Sequence, residues 1–151
     1  MITARPAKRP SRQAGSPVPP SSAEVSAVRG FALEAERRIH LWQQAIHRSK
    51  QEGRQVVIWG SGSKGVAFLS ALGAHVDDGV IEYAVDINPY RKGCYMPGTG
   101  QEIVEPAFLS AYRPEVVIAM NSIYTDEIES DLRRYGVSAK VLPIEAVAAA
   151  V

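Results

Sequence analysis

With 151 residues, 17 Lys and Arg against 16 Asp and Glu, and a formal net charge of +1, the chain carries no global basic field of the kind that gathers nucleic acid or anionic lipid. Its length suffices for one core of ordinary size, its single Cys94 excludes an intramolecular disulfide, and no apolar run approaches the length that crosses a bilayer. A soluble protein of the reducing cytoplasm is expected, with neither nucleic acid nor membrane as partner.

Residues 1–22 stand apart from the rest. Arg5, Lys8, Arg9 and Arg12 are set among Pro6, Pro10, Pro17, Pro19 and Pro20, with no acid before Glu24. Such a composition cannot build a core and predicts a disordered basic tail. It also contains no apolar h-region of a secretory signal. The folded domain is expected over 23–151.

Ser21-Ser22-Ala23-Glu24 has capping-box spacing, and Val25, Val28, Ala32, Ala35, Ile39, Trp42 and Ile46 follow at three- and four-residue steps. This predicts one long amphipathic helix that runs to about Gln51 and ends at Gly53. His40 and His47 lie on it without a third ligand nearby, and His75 has no visible partner, so surface histidines are expected rather than a metal site.

The apolar run Gln55-Val56-Val57-Ile58-Trp59 then breaks into Gly60-Ser61-Gly62-Ser63-Lys64-Gly65, which leads into the amphipathic stretch from Val66 to Leu69. A strand, a glycine turn and a helix in this order aim backbone N–H groups at an anion. Gly60 suits the turn, Gly62 permits close approach of a ligand, and Gly65 lets the helix lie near the sheet. Lys64 stands where its ammonium can add a point charge to those amides. It would equally serve as a solvated residue of the first turn.

Val80 to Val85 reads as a second strand, and Asp86 follows near the spacing at which a dinucleotide fold places its ribose-binding acid. Asp86 would serve either a sugar hydroxyl or the adjacent turn with Asn88 and Pro89. The segment from Ile87 to Gly100 is rich in Gly, Pro and aromatics, which predicts a shaped loop. A short strand is expected at Ile103-Val104, a helix from Pro106 through Tyr112, a buried strand over 115–120, a helix over 124–135 closed by Gly136, and a last strand over 139–142. The alternation predicts an α/β fold: a Rossmann-like three-layer sandwich with a mainly parallel sheet of four or five strands and a long N-terminal helix. Ligands of such sheets sit beyond the carboxyl ends of the strands, which gathers Gly60, Ser61, Gly62, Ser63, Lys64, Gly65, Asp86, Asn88, Asn121 and Tyr124 into one candidate site for nucleotide or substrate. No Ser-His-Asp or Cys-His arrangement is legible, so no catalytic residue is assigned.

Four blocks in order, Trp59 to Leu69, Val85 to Gly93, Pro97-Gly98-Thr99-Gly100 and Val117 to Tyr124, resemble the C-terminal domain of SAM-dependent sugar C-methyltransferases. The resemblance covers about Val25 to Pro143. It implies a Rossmann-like domain that helps hold a nucleotide sugar, typically a dTDP-linked keto-deoxysugar. It also implies that zinc binding and SAM-dependent methyl transfer belong to preceding domains. SAM is thus implied for the full-length family enzyme, and no cofactor is assigned to this chain, where Ile58 and Trp59 stand in place of the acid that a SAM loop carries ahead of its glycines. A separate SAM-dependent catalytic chain is then an expected partner. Two other readings stay open: a small NAD(P)-binding protein, and an interaction or scaffold domain that docks through Leu33, Leu41 or Trp42.

Overall fold

The computed structural model describes residues 19–74 and 78–146, so most of the basic tail and His75 lie outside the described residues. The chain divides into two compact units, Met1–Glu34 and Ala35–Val151. In the first, helix α1 (Ser22–Gln51) begins with the expected capping box: Ser21 N donates to Glu24 Oε2 at 2.7 Å, and Glu24 N donates to Ser21 Oγ at 3.2 Å. These bonds hold the Glu24 carboxyl below its usual pKa. Val28, Phe31 and Leu33 are exposed in this unit. Of the expected apolar stripe in this unit, Val25 is half-buried and Val28 and Ala32 are exposed.

The second unit is an all-parallel five-stranded sheet. Its strands are β1 (Val56–Trp59), β2 (Ile81–Val85), β3 (Glu102–Val104), β4 (Val116–Ala119) and β5 (Lys140–Pro143), in spatial order β3-β2-β1-β4-β5. After β1 the chain winds outward through helix α2 (Ser63–Leu72) to β2 and β3. It then returns through α3 (Leu109–Tyr112) to β4 on the other side of β1, and ends with α4 (Thr125–Arg134) and β5. Right-handed crossovers in opposite directions put helices on opposite faces of the sheet. The strands alternate accordingly: Val56, Ile58, Val116 and Ile118 face Trp42, Ile46 and Phe68 of α1 and α2, whereas Val57, Val117 and Ala119 face Leu109, Ile128 and Leu132 of α3 and α4. Central parallel strands buried on both faces are continuous apolar runs for this reason.

Trp42 closes the first face. It is 4% exposed, meets Phe68 edge-on at 5.6 Å between ring centroids, and donates its indole N–H to Ile144 O at 3.1 Å. Docking through an exposed Trp42 is thus corrected: the ring is core, Leu41 packs partly buried against the same core, and only Leu33 of the three is exposed. The segment after Asp86 is shaped as expected, with a 3-10 turn at Pro89–Arg91, and it folds back on β3 through Gly93 N to Ile103 O and Ile103 N to Cys94 O. The reach from Pro106 to Tyr112 is a 3-10 turn followed by the short α3, and a further 3-10 turn at Ser122–Tyr124 precedes α4. Among the described residues no helix is long and apolar enough to cross a membrane.

Candidate functional site

The winding reverses at β1, so the ends of β1, β2 and β4 open a crevice between diverging connections. Gly60 leaves β1 at φ +118°, a backbone conformation hostile to side chains, and an added Cβ would meet Met120 Cβ at 3.1 Å. Gly65 has a different reason to be glycine. A Cβ there would lie 2.3 Å from Gly60 O and 3.3 Å from Ile58 Cδ1, so α2 crosses the end of β1 at a distance that only glycine permits. Gly62 is the N-cap of α2, without a side-chain cap bond, and the amides of Ser63, Lys64 and Gly65 that follow it lack partners in a preceding turn. A shallow hollow of about 190 Å³ lies there, lined by Gly60, Gly62, Ser63, Lys64, Gly65 and further by Met120 and Asn121. Lys64 is exposed and makes no ion pair among the described residues.

Asp86 lies beside this turn, but its carboxylate is already occupied. Oδ2 accepts from Ser61 N at 3.1 Å, from Ser61 Oγ, and from Arg91 Nη1 at 3.0 Å, while Oδ1 accepts from Asn88 N at 2.9 Å. Partial burial pushes the Asp86 pKa up, and the bonds from Ser61 and Asn88 with the Arg91 charge outweigh it, leaving the carboxyl below its ordinary value. Asn88 is similarly spent, since its Oδ1 accepts from Tyr90 N at 3.1 Å and caps the 3-10 turn. Both residues therefore brace the loop, and a ribose diol at Asp86 would have to displace internal donors. Arg91 completes the brace by donating also to Ser61 Oγ at 3.0 Å.

A second and better-formed cleft, of about 240 Å³, adjoins the hollow. Trp59, Met120 and Ile128 form buried apolar walls, Ile87 is an exposed lip, and Glu127 and Asp131 of α4 form an acidic rim. Asn121 and Tyr124 border it, so the structure brings Asn121 to both cavities and Tyr124 to the cleft alone. The sequence reasoning missed Arg91, Ile87, Trp59, Met120, Glu127 and Asp131. Spacing offered a signal for the helical pair, because Glu127 and Asp131 are four residues apart and share a face of α4. For Arg91 the only sign was a basic residue in the loop that follows the acid. Among the described residues no group of three His, Cys, Asp or Glu side chains is placed to hold a metal ion, and His47 instead meets Gln51 Nε2 at 3.0 Å. Ile58 and Trp59, the two residues ahead of the glycines, are buried in the two core faces of the sheet.

No curated protein matches the chain. Solved structures similar to it include RSP, a Rex-family repressor, at 15% identity and a TM-score of 0.44, covering 63% of this chain and 56% of that one. RSP in complex with β-NAD+ and operator DNA is 16% identical at a TM-score of 0.41, covering 60% and 49%; RSP in complex with β-NADH is 14% identical at 0.43, covering 60% and 52%. This chain thus spans about half the length of those proteins, and a likeness of that degree carries no argument about a ligand. The sequence pattern of the C-methyltransferase C-terminal domain, by contrast, matches residues 21–141, and the chain belongs to that family.

Proposed function

We propose that this domain binds a nucleotide sugar of the dTDP-linked deoxysugar type and presents it to a SAM-dependent C-methyltransferase, without transferring the methyl group itself. The observation that carries the reading is the pairing, in a C-methyltransferase C-terminal domain, of an anion-favouring glycine turn with an adjoining apolar cleft. The turn suits the diphosphate, because the amides of the first turn of α2 and the Lys64 ammonium both favour negative charge. Asp86, the acid beside the glycine turn, is held by four donors and is not free for proton transfer. The methyl donor and its chemistry are therefore assigned to a catalytic domain or a separate catalytic chain, and the place of the protein to deoxysugar biosynthesis.

The test is a calorimetric titration of the purified chain with dTDP, a dTDP-deoxysugar, NAD, NADP and SAM. Selective micromolar binding of the dTDP ligands is expected. Binding of NAD or NADP alone would replace this reading with a nicotinamide-cofactor protein. Silence from all five, with association that depends on concentration, would replace it with an interaction domain.

A further inference from the structure

Two cavities meet at the crevice, and their linings differ in charge. The hollow over the glycine turn carries Lys64 and the amide-rich start of α2. The adjoining cleft has apolar walls and the carboxylates of Glu127 and Asp131 on its rim. Gly60, Met120 and Asn121 line both, so one ligand can span them. An anionic group is favoured in the hollow and repelled from the cleft. The cleft, at about 240 Å³, is smaller than the roughly 300–1,000 Å³ of a pocket that takes a whole ligand. It therefore receives the uncharged end of a molecule whose anionic end lies at the turn.

The occupancy of the polar groups narrows that end further. Asp86, which also lines the cleft, is held by internal donors, and Asp131 is paired with Arg134. Glu127 has no partner among the described residues, and the Asn121 side chain makes no cap bond to the turn that follows it. Hydroxyls of a sugar ring turned toward Trp59, Met120 and Ile128 would lose water without gaining partners there, even with others bonded to Asn121, Tyr124 or Glu127. A planar heterocycle keeps its polar atoms on its edge and offers apolar faces to such walls.

Resting on the nucleotide reading above, we propose that the cleft seats the nucleobase, with Glu127 accepting a hydrogen bond from an N–H on the base edge and the phosphates directed toward Lys64. The base class is one with a donor edge, such as the imide of thymine or uracil. Glu127 is then a specificity residue and more than a surface charge.

The experiment uses the chain labelled with carbon-13 at its methionine methyl groups. Met120 lines both cavities, and Met96, 2% exposed in the core, is the internal reference. Thymidine, pyrophosphate and dTDP are titrated separately. Thymidine and dTDP should move the Met120 methyl by ring current and leave Met96 still, whereas pyrophosphate should perturb the amides from Gly62 to Gly65 without that ring-current shift. Glu127→Ala should weaken dTDP about three- to tenfold, the scale of one hydrogen bond, without weakening pyrophosphate. A carboxylate that only repelled anions would give the opposite sign, with both ligands bound more tightly. Binding of dTDP with Met120 unmoved, or tighter dTDP binding by Glu127→Ala, would overturn the placement of the base and leave the nucleotide reading standing. Failure of the unaltered chain to bind dTDP would overturn both.

Discussion

Replacing Gly65 by Ala adds one methyl group at the tightest contact in the crevice. The new Cβ would lie 2.3 Å from Gly60 O and 3.3 Å from Ile58 Cδ1, whereas real Cβ atoms essentially never approach another heavy atom within 3.0 Å. The nearer obstacle is a backbone carbonyl and cannot rotate away. It belongs to a residue at φ +118° whose N–H is bonded to Val85 O at 2.8 Å, so the turn has little freedom to retreat. Overpacking of this kind costs about 1–3 kcal/mol and at times more. Alanine recovers about 1 kcal/mol of helix propensity at a helical position. With a backbone obstacle the upper part of the range applies, and a net loss of about 2 kcal/mol is expected. For a chain of this size that lowers the thermal midpoint by about 4–8 °C. Urea unfolding followed by far-ultraviolet circular dichroism, with Gly62→Ala as the control, measures it. Gly62 has φ −77°, and the nearest atom to a Cβ there is Arg91 Nη1 at 3.9 Å, so its replacement should change stability by less than about 0.5 kcal/mol. A Gly65→Ala protein as stable as the parent, or equal losses at the two positions, would refute the close approach of α2 to the end of β1.

Asp86 should make stability depend on pH in one direction. Its folded-state pKa is lowered, so its contribution is complete above the free-chain value of about 3.9 and is lost as pH falls through the folded value. The stability gap between the parent and Asp86→Asn should therefore narrow below about pH 4, and a gap constant from pH 6 to pH 3 in urea titrations would count against the network. Lys64→Ala should weaken dTDP by about 1.5 kcal/mol, the low end for a charge-assisted bond because the side chain is exposed, with unfolding unchanged; undiminished affinity in calorimetry would remove Lys64 from the site. Trp42→Ala should cost about 3–5 kcal/mol, as expected for a buried aromatic with a bonded N–H, and a loss below 1 kcal/mol in urea unfolding would contradict its place in the core.

Much of the fold was legible because its causes are local. The capping box at Ser21 and Glu24, the turn glycines and the apolar runs of β1 and β4 each act over a few residues, and the elements begin and end close to where these signals stand. Boundaries slipped where a 3-10 turn took up part of a helical pattern, as at Pro106–Phe108 and Ser122–Tyr124, since periodicity does not separate the two helix types over three residues. The long stripe on α1 misled for another reason. Periodicity says which residues share a face, and burial requires a surface opposite, which the second unit supplies along its own part of α1 from Ile39 onward.

The glycine spacing by itself determined the strand, turn and helix at the crevice, and the family blocks determined the kinship. Tertiary structure alone decided the fate of Asp86. Its distance in sequence from the glycine turn suited a ribose-binding acid as well as a turn cap, but the parallel pairing of β1 with β2 lays the two loops side by side and fills the carboxylate with their donors. It also decided that there is a cleft at all. Trp59, Ile87, Met120 and Glu127 come from four separate stretches of chain, and only the reversal of winding at β1, which separates the connections on its two sides, leaves a space for them to line.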